Sequence, residues 1–350
     1  KGVWIMAYIT FQPSDYFNAK LYDGNGSTNA QTGVGFEPDL IWIKNRDGGG
    51  GSHDHYLFDQ VRGVTKYVRS NVANAEGTAS GVTAFDSDGF TLGSSDGMNE
   101  NGRTFVSWNW RASGTSGSAN SDGTISSTVS ANTTAGFSIV KYTGTGSNGT
   151  VGHGLGSNPP AFIIVKRYDS GTKSWVVQVK GINAAAHINE TTAFTGSWSD
   201  YWNSTHATTD VFAVGTGSGG SNVSGGTHIA YCFSNVKGHQ KAGIYKGNGN
   251  ADGSFVYCGF KPNFVFIKNT AATAQWQMRD GQRGVNGAIK TLYSDSGEQE
   301  TSGDTIDLCS NGFKIRNDSN VQNSNGTNYV FLAVAETPFV ASNGDPVTAR

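Results

Sequence analysis

The sequence predicts an all-β fold made of three tandem antiparallel β-sandwich-like repeats of about 100 residues each. Glycine contributes 49 of the 350 residues and proline only 7, a mixture typical of short strands joined by tight turns. No segment keeps an apolar stripe of helical period over three turns. Four residue patterns also recur in the same order, three of them in all three copies and one in the first and third, which indicates that one β-unit is repeated along the chain.

Each predicted repeat begins with a glycine turn and a strand. The turns are Tyr22–Gly26, Tyr142–Gly146 and Tyr245–Gly249. Each is followed by an apolar run with a proline six residues before a closing lysine, and these runs are Pro38–Lys44, Pro160–Lys166 and Pro262–Lys268. Because short β-branched and aromatic runs are typical of covered strands, we expect these runs to be buried on both faces.

Three further patterns follow in each copy. An Asp-x-x-Arg-Gly element occurs at Asp59–Gly63 and Asp280–Gly284, and the middle copy has Trp175–Val179 in its place. Next come strands that follow a turn, at Asp88–Leu92, Asp210–Val214 and Asn311–Ile315. The closing strands are Thr104–Trp108, His228–Cys232 and Asn328–Leu332. Asp-Gly and Asn-Gly before alternating residues are strong hairpin signals.

These patterns divide the chain into repeat 1 (1–112), a linker (113–135), repeat 2 (136–238), repeat 3 (239–340) and a tail (341–350). The linker is almost wholly Gly, Ser, Thr and Asn, so we expect it to be extended or flexible. Repeats 2 and 3 have no such linker and are expected to pack as one rigid body. Met6 resembles a natural start, so we expect Lys1–Ile5 to be either a translated leader or a genuine N-terminal extension.

Composition excludes several function classes. The net charge of −2 and the pI near 6.4 provide no basic surface for nucleic acid. No apolar run is long enough for a membrane span. Cys232, Cys258 and Cys309 have neither disulfide nor metal-site spacing, so we expect free thiols in a protein made in a reducing cytosol. No cofactor or metal is expected.

Three motifs have a chemical and a structural interpretation. The turn at Tyr22–Gly26 resembles a phosphate loop, but no helix pattern follows it, so a turn is favoured. His53 and His55 could hold a metal, but they lie in a Gly-rich stretch without a third ligand, so a solvated loop tip is favoured. Asp86 and Asp88 could pair for glycoside cleavage, but turn chemistry explains them better.

Two further groups remain. Asp59 with Arg62, and Asp280 with Arg283, recur at one spacing, which favours a structural ion pair over ligand binding. Trp108 is expected in the core because it alternates with other strand residues. The best candidate for ligand binding is an insertion of repeat 2, where exposed rings beside polar groups would stack on a sugar; its residues are Trp198, Asp200, Tyr201, Trp202 and Asn203. Packing of these rings over the sandwich or against a neighbouring subunit is the alternative.

Several segments resemble tail-fibre and other virion structural proteins of marine bacteriophages. They are Met6–Phe11, Asp15–Asn18, Lys20–Gly26, Gly35–Asp47, Val61–Lys66, Ser138–Gly146, Val151–Gly156 and Asp252–Phe260. The resemblance covers nearly the whole chain from Met6. It implies a virion component, made in the host cytoplasm and exposed on the particle exterior, and it identifies no catalytic residue.

Three functions follow as hypotheses. The first is a non-enzymatic structural protein, a tail fibre or adhesin, that forms a homo-oligomer, expected to be a trimer, and contacts other virion proteins. A capsid decoration or head fibre is a variant of it. The second is a module that binds a host-surface glycan. The third is a glycan depolymerase, which requires two carboxylates converging on a groove.

Overall fold

The computed structural model describes residues 12–47, 53–171, 173–216, 220–303, 305–337, 339–340 and 346–347. The expected leader at Lys1–Ile5 lies outside these residues. The strands pair antiparallel in a series of sheets, so the all-β, sandwich-like prediction is confirmed. Within the described ranges, no helix is both long and apolar enough to cross a membrane.

Unit 1, residues 12–112, has a large and a small sheet. A 3-10 helix at Pro13–Asp15 precedes the strands, and α1 (Asp96–Asn99) precedes the last one. The strands are β1 (Phe17–Asp23), β2 (Asn29–Gln31), β3 (Leu40–Asn45), β4 (Tyr56–Asp59), β5 (Lys66–Arg69), β6 (Gly77–Thr78), β7 (Val82–Asp86), β8 (Gly89–Leu92) and β9 (Thr104–Trp110). The large sheet has the order β1-β9-β3-β4-β5-β6, and the small sheet has the order β2-β8-β7.

Unit 2, residues 113–238, repeats this plan with changes at its ends. Its helix is α2 (Trp198–Trp202). Its strands are β10 (Ser118–Asn120), β11 (Ser127–Asn132), β12 (Phe137–Thr143), β13 (Gly149–Gly152), β14 (Pro160–Arg167), β15 (Val176–Val179), β16 (Ala186–His187), β17 (Val211–Val214) and β18 (Thr227–Ser234). The large sheet has the order β10-β11-β12-β18-β14-β15-β16, and β13 pairs with β17.

Unit 3, residues 239–337, has the same central order. Its strands are β19 (Gln240–Lys246), β20 (Phe255–Tyr257), β21 (Pro262–Asn269), β22 (Gln277–Asp280), β23 (Leu292–Tyr293), β24 (Ile306–Cys309), β25 (Gly312–Ile315) and β26 (Asn328–Ala335). The large sheet has the order β19-β26-β21-β22-β23, and the small sheet has the order β20-β25-β24. A last pair follows, in which β27 (Phe339–Val340), at the end of the expected repeat 3, pairs with β28 (Pro346–Val347) in the expected tail.

The structure corrects the prediction of a flexible linker at 113–135. β10 and β11 lie in this segment, and β11 pairs along its whole length with β12. Ile125 also forms a parallel bridge to Val151 of β13. β10 is the outermost strand of the large sheet, and β11 lies between β10 and β12. The segment is therefore part of the unit 2 sandwich.

A buried tyrosine and a buried asparagine fix the glycine turn of each unit. In unit 1, the Tyr22 hydroxyl donates to the Met98 carbonyl at 2.7 Å, and Asn99 Oδ1 accepts from the Asn25 amide at 3.0 Å. The Asn99 Nδ2 donates to the carbonyls of Ser27 and Gly93. The same bonds recur for Tyr142 with Asn222 and for Tyr245 with Asn323. The turns are thus closed by side chains, with no helix following them.

The proline-to-lysine strands lie at the centre of each large sheet and are buried on both faces, as predicted. In β3, Ile41 and Ile43 face the core between the two sheets of unit 1, whereas Leu40 and Trp42 face the opposite way. The second face lies in a common core shared by all three large sheets. Because side chains alternate along a strand, one apolar run serves both cores.

Each large sheet packs against the other two, and the contacts run in one direction around the molecule. We call residues 70–76, 188–194 and 294–300 the clasp loops of units 1, 2 and 3. The backbone amides of their last residues donate to carbonyls two residues beyond the strand lysine of the next unit: Glu76 to Tyr168, Phe194 to Thr270 and Glu300 to Arg46. Unit 1 therefore contacts both other units, which corrects the expectation that it is set apart from a body made of units 2 and 3.

Candidate functional site

The strand lysines join neighbouring units. Lys44 Nζ donates to the Gly297 carbonyl of unit 3 at 3.1 Å, and Lys166 Nζ donates to the Ala73 carbonyl of unit 1 at 3.0 Å. Lys268 Nζ donates to the Thr191 carbonyl of unit 2 at 2.7 Å. Burial lowers the pKa of each lysine to about 8. These ammonium groups are bound by backbone carbonyls, so their role is structural.

The Asp-x-x-Arg elements are buried ion pairs, as predicted. Asp59 and Arg62 form a 2.6 Å contact in unit 1, and the Tyr231 hydroxyl of unit 2 donates to Asp59 at 2.8 Å. Although burial alone lowers the pKa of Arg62, the Asp59 carboxylate and its other neighbours raise it above its ordinary value. Glu76 lies 3.3 Å from Arg62 and completes the set.

Unit 3 presents the same set to unit 1. Asp280 and Arg283 form a 2.6 Å contact, and the Trp108 indole donates to Asp280 at 2.9 Å. The Arg283 guanidinium also lies over the Trp108 ring, 5.3 Å from its centroid. Glu300 lies 3.5 Å from Arg283. Trp108 is fully buried, as expected, and both of its polar contacts cross between units.

His55 corrects the expectation of a solvated loop tip at His53 and His55. His55 is fully buried and His53 is 8% exposed. The Trp42 indole donates to His55 Nδ1 at 2.9 Å, and the His55 ring stacks on Trp108. Burial lowers the pKa of His55 well below its usual value. His55 stands where units 2 and 3 have Trp175 and Trp276, so it is a core residue of the common centre.

The remaining motifs are also structural. The Asp88 carboxylate accepts from the amides of Gly33 and Gly35 and holds the loop after β2, whereas Asp86 accepts from the Thr91 hydroxyl across the β7–β8 hairpin. The cysteines are free thiols; Cys232 and Cys258 are buried, and Cys309 is partly exposed. Across the described ranges, no group of three His, Cys, Asp or Glu side chains has the arrangement of a metal site.

The candidate ligand surface is built on α2, where unit 2 departs from its neighbours. The small sheets of units 1 and 3 have a third strand, β7 or β24, whereas unit 2 places α2 against β17. The Ser197 hydroxyl accepts from the Asp200 amide at the start of α2. Asn203 ends the helix in the left-handed conformation at φ 47°. The Tyr201 carbonyl accepts from Ser221 Oγ and from the Gly215 amide, which holds the end of the helix on the sandwich.

The five predicted residues do not all reach the surface. Trp202 is fully buried in the core of unit 2, which corrects the expectation that its ring is exposed. Residues i and i+3 of a helix share a face, and Trp198 and Tyr201, both partly exposed, keep that relation. The Trp198 ring packs on His206 at 4.6 Å between centroids. Asp200 and Asn203 are partly exposed beside them.

A hydrogen-bonded array extends this surface. The Tyr201 hydroxyl lies 3.1 Å from His187 Nε2, and His187 Nδ1 lies 3.1 Å from Glu190 Oε2. Ser174 Oγ donates to Glu190 Oε1 at 2.5 Å. Burial raises the pKa of Glu190, but the bonds from Ser174 and His187 outweigh it and the net shift is downward. Burial, with the charges of Glu190 and Asp200, raises the pKa of Tyr201.

The array holds two aromatic rings and several polar groups in fixed positions, an arrangement that can stack on a flat ligand ring and hydrogen-bond its edges. We call the surface of Trp198, Tyr201, His206, His187 and Glu190 the α2 surface.

Sequence reasoning missed His187, Glu190 and His206 because they are scattered in the chain and meet only in the fold. It also missed the buried asparagines Asn99, Asn222 and Asn323. A signal for the asparagines was present, since each lies three residues before a glycine that shortly precedes the closing strand of its repeat, at Gly102, Gly225 and Gly326.

No curated protein and no solved structure matches the chain. A family model described as a domain of unknown function, DUF7483, matches residues 12–338. This range contains the three large sheets, the clasp loops and the α2 surface. The chain therefore belongs to the DUF7483 family.

Proposed function

We propose that the chain is a non-enzymatic structural protein of a bacteriophage particle, a tail fibre or adhesin, and that the α2 surface binds a glycan of the host surface. The α2 surface carries the binding part of this proposal. It is the place where unit 2 replaces a strand with a helix that presents Trp198 and Tyr201 beside polar side chains.

The scaffold supports the structural part. The three large sheets share one core, and a buried lysine crosses every boundary between them. One chain thereby gains an arrangement of three interlocked sheets, which is suited to an exposed particle component. The low charge, 15% of residues, fits a surface whose solubility comes from neutral polar groups.

A glycan array followed by titration of the best oligosaccharide tests the binding. Trp198→Ala should weaken binding at least tenfold, because stacking on the Trp198 indole supplies much of the contact with a sugar face. Tyr257→Ala is the matched control, since Tyr257 is a more exposed aromatic residue in unit 3. Equal loss in both variants, or no glycan bound by the unchanged protein, contradicts the binding proposal.

Two measurements separate the alternatives. Release of reducing ends from host polysaccharide, abolished by Glu190→Gln, would assign a depolymerase in place of an adhesin. Gold-labelled antibody on intact particles distinguishes a tail fibre from a capsid decoration by the position of the label. Absence of label on any particle contradicts the structural role.

A further inference from the structure

Arg279 is a buried cation between the two sheets of unit 3. It lies in β22 and is 2% exposed. Met278, its neighbour in the strand, packs in the common core, so Arg279 points to the opposite face, towards the small sheet. Arg62 and Arg283 each hold a buried aspartate. Among the described residues, the Arg279 guanidinium has no such carboxylate beside it.

The charge at this position is specific to unit 3. The residue that pairs with the middle of the proline-to-lysine strand is Phe58 in unit 1, Gln178 in unit 2 and Arg279 in unit 3. Phe58 packs in the apolar core of unit 1, and Gln178 bonds to the backbone of Thr205 and Ala207. The repeated fold therefore does not require a cation here.

Neutral side chains bind only part of the Arg279 guanidinium. Nε donates to Thr291 Oγ1 at 3.0 Å, and Nη2 donates to Gln277 Oε1 and, at 2.8 Å, to Gln322 Oε1. Nη1 is buried and has no hydrogen-bond partner among the described residues, and the same holds for Thr305 Oγ1. The Thr305 carbonyl accepts from Gln322 Nε2 at 2.8 Å. Both unpaired groups thus belong to residues that bond to Gln322.

A buried guanidinium without a counter-charge is unfavourable. Burial lowers the pKa of Arg279 to about 10, so the group stays protonated at pH 7. Arginine cannot escape this cost by losing its proton at neutral pH, and the positive charge of Arg283 adds to it. The two N–H groups of Nη1 add the cost of unpaired buried donors. An anion at Nη1 removes both costs.

A small monovalent anion fits these groups best. One arginine supplies one positive charge, so a sulfate or phosphate dianion would leave uncompensated negative charge in the interior. The unpaired donors are the two N–H groups of one nitrogen and the Thr305 hydroxyl, which are too few for the oxygens of a tetrahedral oxyanion. A halide accepts hydrogen bonds from any direction and needs only these donors.

We propose that unit 3 binds a halide ion, chloride or one of similar size, beside Arg279 and between the two sheets. The ion accepts from the N–H groups of Arg279 Nη1 and from the Thr305 hydroxyl, and it neutralises the guanidinium. It thereby connects β22 of the large sheet to Thr305, which directly precedes β24 of the small sheet. This site is separate from the α2 surface and does not depend on glycan binding.

Bromide locates the site directly, because it replaces chloride and is identified by its anomalous scattering. Crystals of the full chain soaked in sodium bromide should show an anomalous peak in contact with Arg279 Nη1, and crystals of Arg279→Gln should lack it. This variant introduces the residue that unit 2 has at the position, so the fold should be kept. An ordered water at Nη1, or bromide at exposed sites only, overturns the proposal.

Thermal unfolding tests the same ion in solution. The melting temperature should rise by at least about 2 °C when 0.2 M chloride replaces gluconate at one ionic strength, because only the folded chain holds the ion. Arg279→Gln should abolish this shift, whereas Arg111→Gln, at an exposed arginine of unit 1, should keep it. An equal shift in all three proteins contradicts the site.

A further variant tests whether the chain supplies its own counter-charge. Asp304 lies outside the described residues and precedes Thr305 in the sequence. Asp304→Asn should show the same chloride shift as the unchanged protein. A shift that is absent from the unchanged protein and appears only in Asp304→Asn assigns the counter-charge to this carboxylate and overturns the proposal.

Discussion

The junction between units 1 and 2 and the junction between units 2 and 3 solve the same packing problem with opposite chemistry. At the first junction, Asp59, Arg62 and Glu76 of unit 1 lie together, and the Tyr231 hydroxyl of unit 2 donates to Asp59. At the positions equivalent to Asp59, Arg62, Glu76 and Tyr231, the second junction has Val179, Ile182, Phe194 and Leu332, all in or against the common core. The junction between units 3 and 1 is charged like the first.

Comparison of the three junctions separates the contacts that all of them share from those that only two have. The clasp-loop amides and the strand lysines are kept at all three junctions. The ion-pair set is kept at two and replaced as a group at the third. A buried ion pair and a well-packed apolar group of similar volume are energetically comparable, whereas a mixture of the two leaves a buried charge without its partner. Removal of one member of a charged junction should therefore destabilise the protein more than replacement of the whole group.

The largest effect is expected from breaking a charged set. Asp280→Ala leaves the Arg283 guanidinium buried without its carboxylate and removes the acceptor of the Trp108 indole. We expect a loss of about 3–5 kcal/mol in the free energy of unfolding, measured by urea denaturation. Asp318→Ala, at an exposed carboxylate of the same unit, is the control and should change stability by less than about 0.5 kcal/mol. Equal effects in the two variants would mean that the buried pair has no special role.

Removing a strand lysine should cost less. Lys268→Met leaves the carbonyls of Thr191 and Ala274 without this donor, for an expected loss of about 1–3 kcal/mol at pH 7. The pKa of Lys268 falls from 10.5 unfolded to about 8 folded, so the unfolded chain binds more protons between these values. Stability from this lysine therefore rises with pH from about 8 to 10.5.

The gap between the unchanged protein and Lys268→Met should accordingly widen over that pH range. Urea denaturation at pH 7, 8 and 9.5 measures it. A gap that narrows as pH rises contradicts the buried ammonium.

The third effect is a loss of stability in acid, and it is expected at His239, where unit 3 begins. Burial lowers the pKa of His239 to about 3, so below pH 6.5 the unfolded chain takes up a proton that the folded chain does not. Stability from His239 is therefore present above pH 6.5 and is lost as pH falls towards the folded value, by up to about 1.4 kcal/mol per pH unit. His239→Gln should lower the acid slope of the unfolding free energy between pH 6.5 and 4.5. An unchanged slope would show that His239 titrates normally.

The smallest effect is expected from converting one junction into the other. The combined variant Asp59→Val, Arg62→Ile, Glu76→Phe and Tyr231→Leu should stay folded, with a stability within about 2 kcal/mol of the unchanged protein. Asp59→Val alone should be far less stable than the combined variant. If the combined variant is the less stable of the two, the apolar and charged junctions are not interchangeable.

Local pattern determined much of the fold. The continuous apolar runs of Pro38–Lys44 and its two copies predicted strands covered on both faces, because successive side chains of a strand point to opposite faces and here both sets are apolar. The spacing of Asp59 with Arg62 was sufficient to predict an ion pair, since the two side chains lie three residues apart on one turn.

Segments without apolar pattern were decided by tertiary contacts. Residues 113–135 have a linker composition, yet β10 and β11 form because β12 and β13 offer edges that accept them. The Gly-rich sequence before His55 predicts a loop histidine, but the fold places His55 in the common core, where the other units have tryptophan. Composition cannot show either outcome, since the partner strands and rings come from distant parts of the sequence.

The sequence by itself determined the strand units, their turns and the residues that would be buried in pairs. Only the tertiary structure decided that the three sheets close around one core, with each strand lysine bound by a neighbouring clasp loop. It also decided that Trp202 is buried while Trp198 and Tyr201 join His187 and Glu190 on one surface. The physical reason is that local periodicity specifies which side of an element is apolar, whereas the partner of that side is fixed by long-range packing.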